Sequence, residues 1–221
     1  WERPTEPFLV DSPAKVQLAR EALTSVKCVG IDTETRPSFV RGAPRNPPAL
    51  LQVATLAGGA RGLRSGERVF LFDLLTLLPE HSPAVDEALI DILCGDDVLV
   101  VGVDMISDVA ELREWYPECR CFRNPRTLLD LGRRRGTRKR QSLRSLAREF
   151  AGVEIVKGRV QRSDWSSRPL SAVQLTYAAN DARLTVEILI GAGSEEEFAA
   201  RQDLVETRAA YWVCTECGGE R

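Results

Sequence analysis

The sequence predicts a single mixed α/β domain in which three strands come first and helices alternate with strands after them. Three observations carry this. Strand-length apolar runs at residues 26–33, 50–55 and 68–73 succeed one another without a helical pattern between them. Runs at 97–103 and 126–131 then alternate with stretches of helical period. A chain of 221 residues, 43% hydrophobic and 28% charged, is sized and composed for one substantial core.

Taken in order, a helical pattern over 12–24 leads into KCVGIDTET. There Cys28, Val29, Gly30 and Ile31 form a buried strand, and because residues two apart share a side, Asp32 and Glu34 project together. TRPSFVRGAPRNPP follows; its prolines, glycine and arginines mark a loop directly after the acid pair, where a mobile lid or substrate rim would sit. LAGGARGLRSGER is the hairpin connection to the strand at 68–73. PEHSP, around the single histidine His81, reads as a surface turn before a helix over 84–94. After DVLVVGV a helix over 105–116 begins close to Asp108, so a loop or first-turn carboxylate there reaches towards the same pocket. A helix over 141–151 follows the last strand. In SAVQLTYAANDARLTVEIL, Val173, Leu175, Tyr177, Ala178, Asp181, Leu184 and Ile188 fit a helix over 171–190, where positions four apart stack and Tyr177 lies beside Asp181. A final helical pattern spans 194–212. The domain is assigned to residues 1–213, with 214–221 as a tail or the start of a zinc knuckle.

Clustered carboxylates repel one another, and near neutral pH they persist by binding a divalent cation or by holding protons. Hard oxygen ligands suit magnesium or manganese. Each acid alone also has a plain reading: solvated strand-end residues for Asp32 and Glu34, a helix-dipole acid for Asp108, a surface pair for Tyr177 and Asp181. Their joint occurrence favours a site.

At these residues the chain resembles the DEDDy 3′-5′ exonucleases, the family of ribonuclease D, the Werner-protein exonuclease domain and the proofreading domains of family A polymerases. Asp32-x-Glu34 is similar to the first motif, VGVDMISDVAEL with Asp108 to the second, and Tyr177-x-x-x-Asp181 to the third. The run from SLRSLAREFAGVEIVKG through SDWSSRPLSAVQLTYAANDA resembles the ribonuclease D and Werner branch, so the likeness covers roughly residues 20 to 190. It implies a ribonuclease H-like sheet, a three-strand meander then α/β crossovers flanked by helices, and a metal-dependent 3′-5′ exonuclease. By resemblance, Asp32, Glu34 and Asp181 bind the ion that activates water, Asp32 with Asp108 in an outer or bridging role holds a second, and Tyr177 orients the water. The substrate would be the 3′ end of single-stranded RNA or DNA, and the products nucleoside monophosphates. Leu51, Gln52 and Trp165 are expected near the substrate, with packing the preferred role for Leu51 and Trp165.

Net charge is close to zero, with 30 basic and 32 acidic residues, which argues against a general nucleic-acid coat. One basic patch stands out. GRRRGTRKR places six basic side chains in residues 133 to 140, and Arg138, Lys139 and Arg140 either contact phosphates or form a solvated loop.

Among the cysteines, Cys28 and Cys94 read as small hydrophobes in apolar runs. Cys214-x-x-Cys217 supplies half of a zinc site, its partners lying beyond Arg221 or being Cys119 and Cys121; the other reading is free thiols. With one histidine in the chain, histidine base or nucleophile schemes are disfavoured by supply. Apolar runs are strand-length, so no membrane span is expected, and an intracellular location is. A start at Trp1 instead of Met reads as a processed or trimmed piece, and further domains or a larger assembly are expected outside it. Two other function classes fit the same residues: a catalytically silent scaffold of this fold, or a nucleic-acid-binding module of a larger protein.

Overall fold

The computed structural model describes residues 6–55, 68–133, 140–156 and 158–192. Within them a six-stranded sheet is built from β1 (Phe8–Val10), β2 (Cys28–Thr35), β3 (Pro48–Thr55), β4 (Val69–Asp73), β5 (Leu99–Gly102) and β6 (Leu128–Asp130). Its spatial order is β1-β4-β3-β2-β5-β6. β2, β3 and β4 form the expected antiparallel meander, while β5 joins β2 and β6 joins β5 in parallel through helical crossovers. β1 was not legible in the sequence. Three residues carry no period of their own, and the strand exists because it pairs in parallel with β4.

One face of the sheet is covered by α1 (Pro13–Leu23), α2 (Leu74–Leu93) and α3 (Met105–Trp115). Val29, Ile31, Leu51, Val53, Phe70 and Phe72 point into that core. The other face is covered by α5 (Ala172–Ala192), with α4 (Leu143–Leu146) beside it. Strict alternation along β2 therefore sends Asp32 and Glu34, like Gly30, towards α5.

Two helices depart from expectation. α2 starts ten residues before the expected position 84, capped by Asp73, whose carboxylate accepts the Thr76 N–H at 3.2 Å. The predicted turn at His81 is a kink inside α2 (φ −127°, ψ 22°), flanked by Pro79 and Pro83, which each remove a helical donor. The segment expected as one helix over 141–151 is a single α-turn, α4, that widens into a π-turn over Ala147–Ala151 and stops at Gly152 (φ +67°). The pattern over 194–212 and the 56–67 connection lie outside the described residues. Among the described residues no helix is long and apolar enough to cross a membrane.

Candidate metal centre

How close α5 can come to β2 is decided by one missing side chain. A Cβ at Gly30 would stand 2.2 Å from Thr185 Oγ1 and 2.5 Å from the Ala182 carbonyl oxygen. Glycine lets the helix backbone settle onto the strand, one residue past Asp181 on the helix and two before Asp32 on the strand. The acids then meet. Carboxylate oxygens of Asp32, Glu34 and Asp181 lie within 4.8 Å of one another, with Glu34 and Asp181 buried and Asp32 half-buried. Among the described residues no lysine or arginine forms an ion pair with any of the three.

Burial without a cation sets the electrostatics. Desolvation, then repulsion from Asp108 and Asp181, holds the Asp32 carboxyl well above the usual carboxylate range. Burial pushes Glu34 up to about 10, with Asp32, Asp181 and Asp108 adding to it. Asp181 is pushed up to about 6 by burial, opposed by a hydrogen bond from the Tyr177 hydroxyl. Burial likewise raises the Tyr177 phenol, so it stays a donor. Its ring packs against Trp165, centroids 6.2 Å apart.

Asp108 does not join the three acids. It sits in the first turn of α3, half-buried, hydrogen-bonded to the Thr33 side chain, and burial pushes it up to about 7. The loop that presents α3 depends on a residue the sequence reading passed over. Asp130 Oδ1 accepts the backbone N–H groups of Asp104 (3.0 Å) and Gly132 (2.9 Å), holding Asp104 in a left-handed conformation (φ 62°) directly before α3. A lone aspartate at a strand end gives no sequence signal for that task.

The start of α5 is anchored just as specifically. Gln174 accepts from the Ser171 N–H and hydroxyl (3.0 Å each) and donates to Ser163 Oγ (3.1 Å) and the Asp164 carbonyl (3.2 Å). Arg168 Nε and Nη2 donate to the two oxygens of buried Asp73 at 2.5 and 2.6 Å, and Nη1 to the Trp165 carbonyl at 2.7 Å. The SDWSSRP loop is thereby bolted to the end of β4.

Beside Asp32, Tyr177 and Asp181 opens a cleft of about 260 Å³, with Leu143, Ile155 and Val156 on its apolar side and Arg144 and Gln161 among its polar groups. Apolar and acidic groups lining one cleft can together take a flat apolar ring and a phosphate.

Other expected residues fall elsewhere. Gln52, expected at the substrate border, is fully buried opposite Asp32 and presents nothing to solvent. Leu51 and Trp165 are fully buried packing residues. Arg140 pairs with Asp104; Arg138 and Lys139 lie outside the described residues, as do Cys214 and Cys217. Cys119 and Cys121, the alternative partners for those two thiols, lie within the described residues. Both are buried in the core under α2, where burial pushes the Cys119 thiol up to about 12 and raises that of Cys121 as well. The 36–47 loop is tied down by Arg36 to Asp164 (3.4 Å) and by Arg45 to Glu111 (3.8 Å) and Glu114, with Phe39 and Val40 exposed between the ties.

The family model described as a 3′-5′ exonuclease matches residues 7–190. Ribonuclease D of Xanthomonas oryzae is 31% identical over 173 residues, which are 76% of this chain and 39% of that protein. A human exonuclease mut-7 homolog is 28% identical over 72% of this chain and 19% of its own length. The chain thus spans well under half of these curated relatives. Among solved structures, Trypanosoma brucei RNase D shares the fold with a TM-score of 0.71 at 21% identity (93% of this chain, 72% of that one). The Aedes aegypti Nibbler EXO domain does so with 0.67 at 22% identity (94% and 96%).

Proposed function

Because this chain belongs to the 3′-5′ exonuclease family, we propose that it removes nucleoside monophosphates from the 3′ end of single-stranded RNA by metal-assisted hydrolysis at Asp32, Glu34 and Asp181. One observation carries the reading: three carboxylates from β2 and α5 converge within 4.8 Å without a paired cation. Such a hard-oxygen set fits magnesium or manganese, and no described lysine or arginine is paired with it. RNA is favoured by the relatives, named Ribonuclease D, and by the T. brucei enzyme, solved in complex with RNA U12.

Asp32, Glu34 and Asp181 would hold one ion, and Asp32 with Asp108 a second. Divalent ions held there would supply Lewis-acid activation of the attacking water and neutralisation of the charge that develops during hydrolysis. The chain does the rest. Tyr177, its hydroxyl on Asp181, orients the attacking water; the apolar side of the cleft receives the terminal base; Trp165 keeps the tyrosine ring in place. No covalent nucleophile is required. Arg138, Lys139 and Arg140 guide the strand by phosphate contacts. Replacing all three by Ala should raise KM for long strands and flatten the salt slope by about 0.7 per lost contact, with kcat unchanged.

The deciding assay uses end-labelled single-stranded RNA, single-stranded DNA and recessed duplexes with magnesium or manganese, beside an Asp32→Asn control. Shortening of RNA from the 3′ end in the wild type alone is expected. No cleavage in saturating manganese would instead mean a silent exonuclease-fold scaffold.

A further inference from the structure

Gln52 is a buried polar residue that packing does not explain. All eight residues of β3 are buried, and Gln52 itself has no exposed surface. Neither its Nε2 nor its Oε1 has a hydrogen-bond partner. Leaving a buried amide unpaired is destabilising, a cost that a leucine or methionine of similar size would avoid. Something must be gained from the amide.

The strand register says where to look. In the antiparallel pairing of β2 and β3, Gln52 stands directly opposite Asp32, so both side chains leave the sheet on the α5 face with Cβ atoms about 4.5–5.5 Å apart. On its other flank stands Leu71, and the neighbours along its own strand on that face are Leu50 and Ala54, all apolar. Asp73, one step further, is already taken by Arg168. The acid opposite is the polar group that register brings nearest.

We propose that Gln52 is a positioning residue for Asp32: when a divalent ion binds, the Gln52 side-chain N–H, unpartnered in this structure, donates to the inward oxygen of the Asp32 carboxylate and fixes the orientation in which the other oxygen ligates the ion. This rests on the reading of Asp32 as a metal ligand. Ligand carboxylates are commonly held by such hydrogen-bonding partners, whose removal weakens metal affinity by about 10- to 100-fold.

The test is manganese titration by calorimetry together with metal-free melting, on wild type, Gln52→Met and Asp32→Asn. Gln52→Met should melt without metal at or above the wild-type temperature, because an unpaired polar group is replaced by an apolar one of similar volume. It should bind manganese about 10- to 100-fold more weakly. A merely structural glutamine would not separate the two readouts. If the wild type binds no manganese that Asp32→Asn abolishes, the metal reading itself fails. If that binding is present and Gln52→Met retains wild-type affinity, the role given to Gln52 is overturned. Should Gln52→Met not fold, the wild-type Gln52 side-chain amide answers by NMR: its proton resonances move downfield on magnesium addition if it donates to Asp32, and unmoved resonances reject the proposal.

Discussion

Two buried carboxylate sites share one face of the same sheet, and they are solved in opposite ways. Asp73 at the end of β4 meets a guanidinium in a two-point grip, and its Oδ1 also caps α2. Asp32, Glu34 and Asp181, two strands away, have no lysine or arginine paired with them among the described residues; they face one another, the Tyr177 hydroxyl and the Thr33 N–H. A paired buried carboxylate is architecture: it locks the SDWSSRP loop, and breaking the pair leaves a stranded charge. An unpaired group of three holds protons or admits a cation, and its unfavourable electrostatics in the metal-free protein are what the proposed metal binding would relieve. Charge alone does not mark a functional acid; absence of a protein counter-charge does.

The sharpest break between the two sites is Asp32→Asn. Hydrolysis should fall by more than the roughly 100- to 1,000-fold typical of one lost catalytic hydrogen bond, while metal-free melting temperature holds or rises because repulsion is relieved. Undiminished nuclease activity in a clean preparation would remove Asp32 from the proposed metal site.

Arg168→Ala should do the reverse. With Asp73 buried and its partner gone, stability should drop by about 3–5 kcal/mol in denaturant melts. A loss below 1 kcal/mol would show that water or a neighbour takes over, and that the contrast between the sites is weaker than their geometry.

Tyr177→Phe keeps the packing against Trp165 and deletes only the hydroxyl. We expect kcat lower by about 10- to 1,000-fold with manganese affinity nearly unchanged. A large loss of affinity in calorimetry would make the tyrosine part of the ligand set.

The smallest effect is on stability against pH. Asp181 and Asp108 have folded pKa values raised to about 6 and about 7, against an ordinary aspartate value of 3.8, so the metal-free fold binds more protons than the unfolded chain above that value. Their contribution is fully present at the acid end and is lost as pH rises through 6 and 7. Metal-free melting temperature should therefore decline across that window, and manganese should flatten the decline, because ligation favours the deprotonated acids. A melting curve rising through the same window would contradict the burial of these acids.

Much of the site was legible in the chain itself. Alternation along a strand put Asp32 and Glu34 on one side, and a four-residue helical step put Tyr177 beside Asp181, because both periods are properties of local backbone geometry. The meander and crossovers followed from the order of apolar runs. The distance between the two acid groups was another matter: it depends on Gly30 admitting α5, a contact between residues more than 150 positions apart. Gln52 looked like a surface candidate because a polar residue in a strand usually is one, and only the sheet's second layer buried it. β1, the Asp130 brace before α3 and the Asp73–Arg168 pair were likewise invisible, since each is defined by a partner distant in sequence. Local periodicity determined which way the side chains face; tertiary packing decided which of them meet, and whether a counter-charge meets them too.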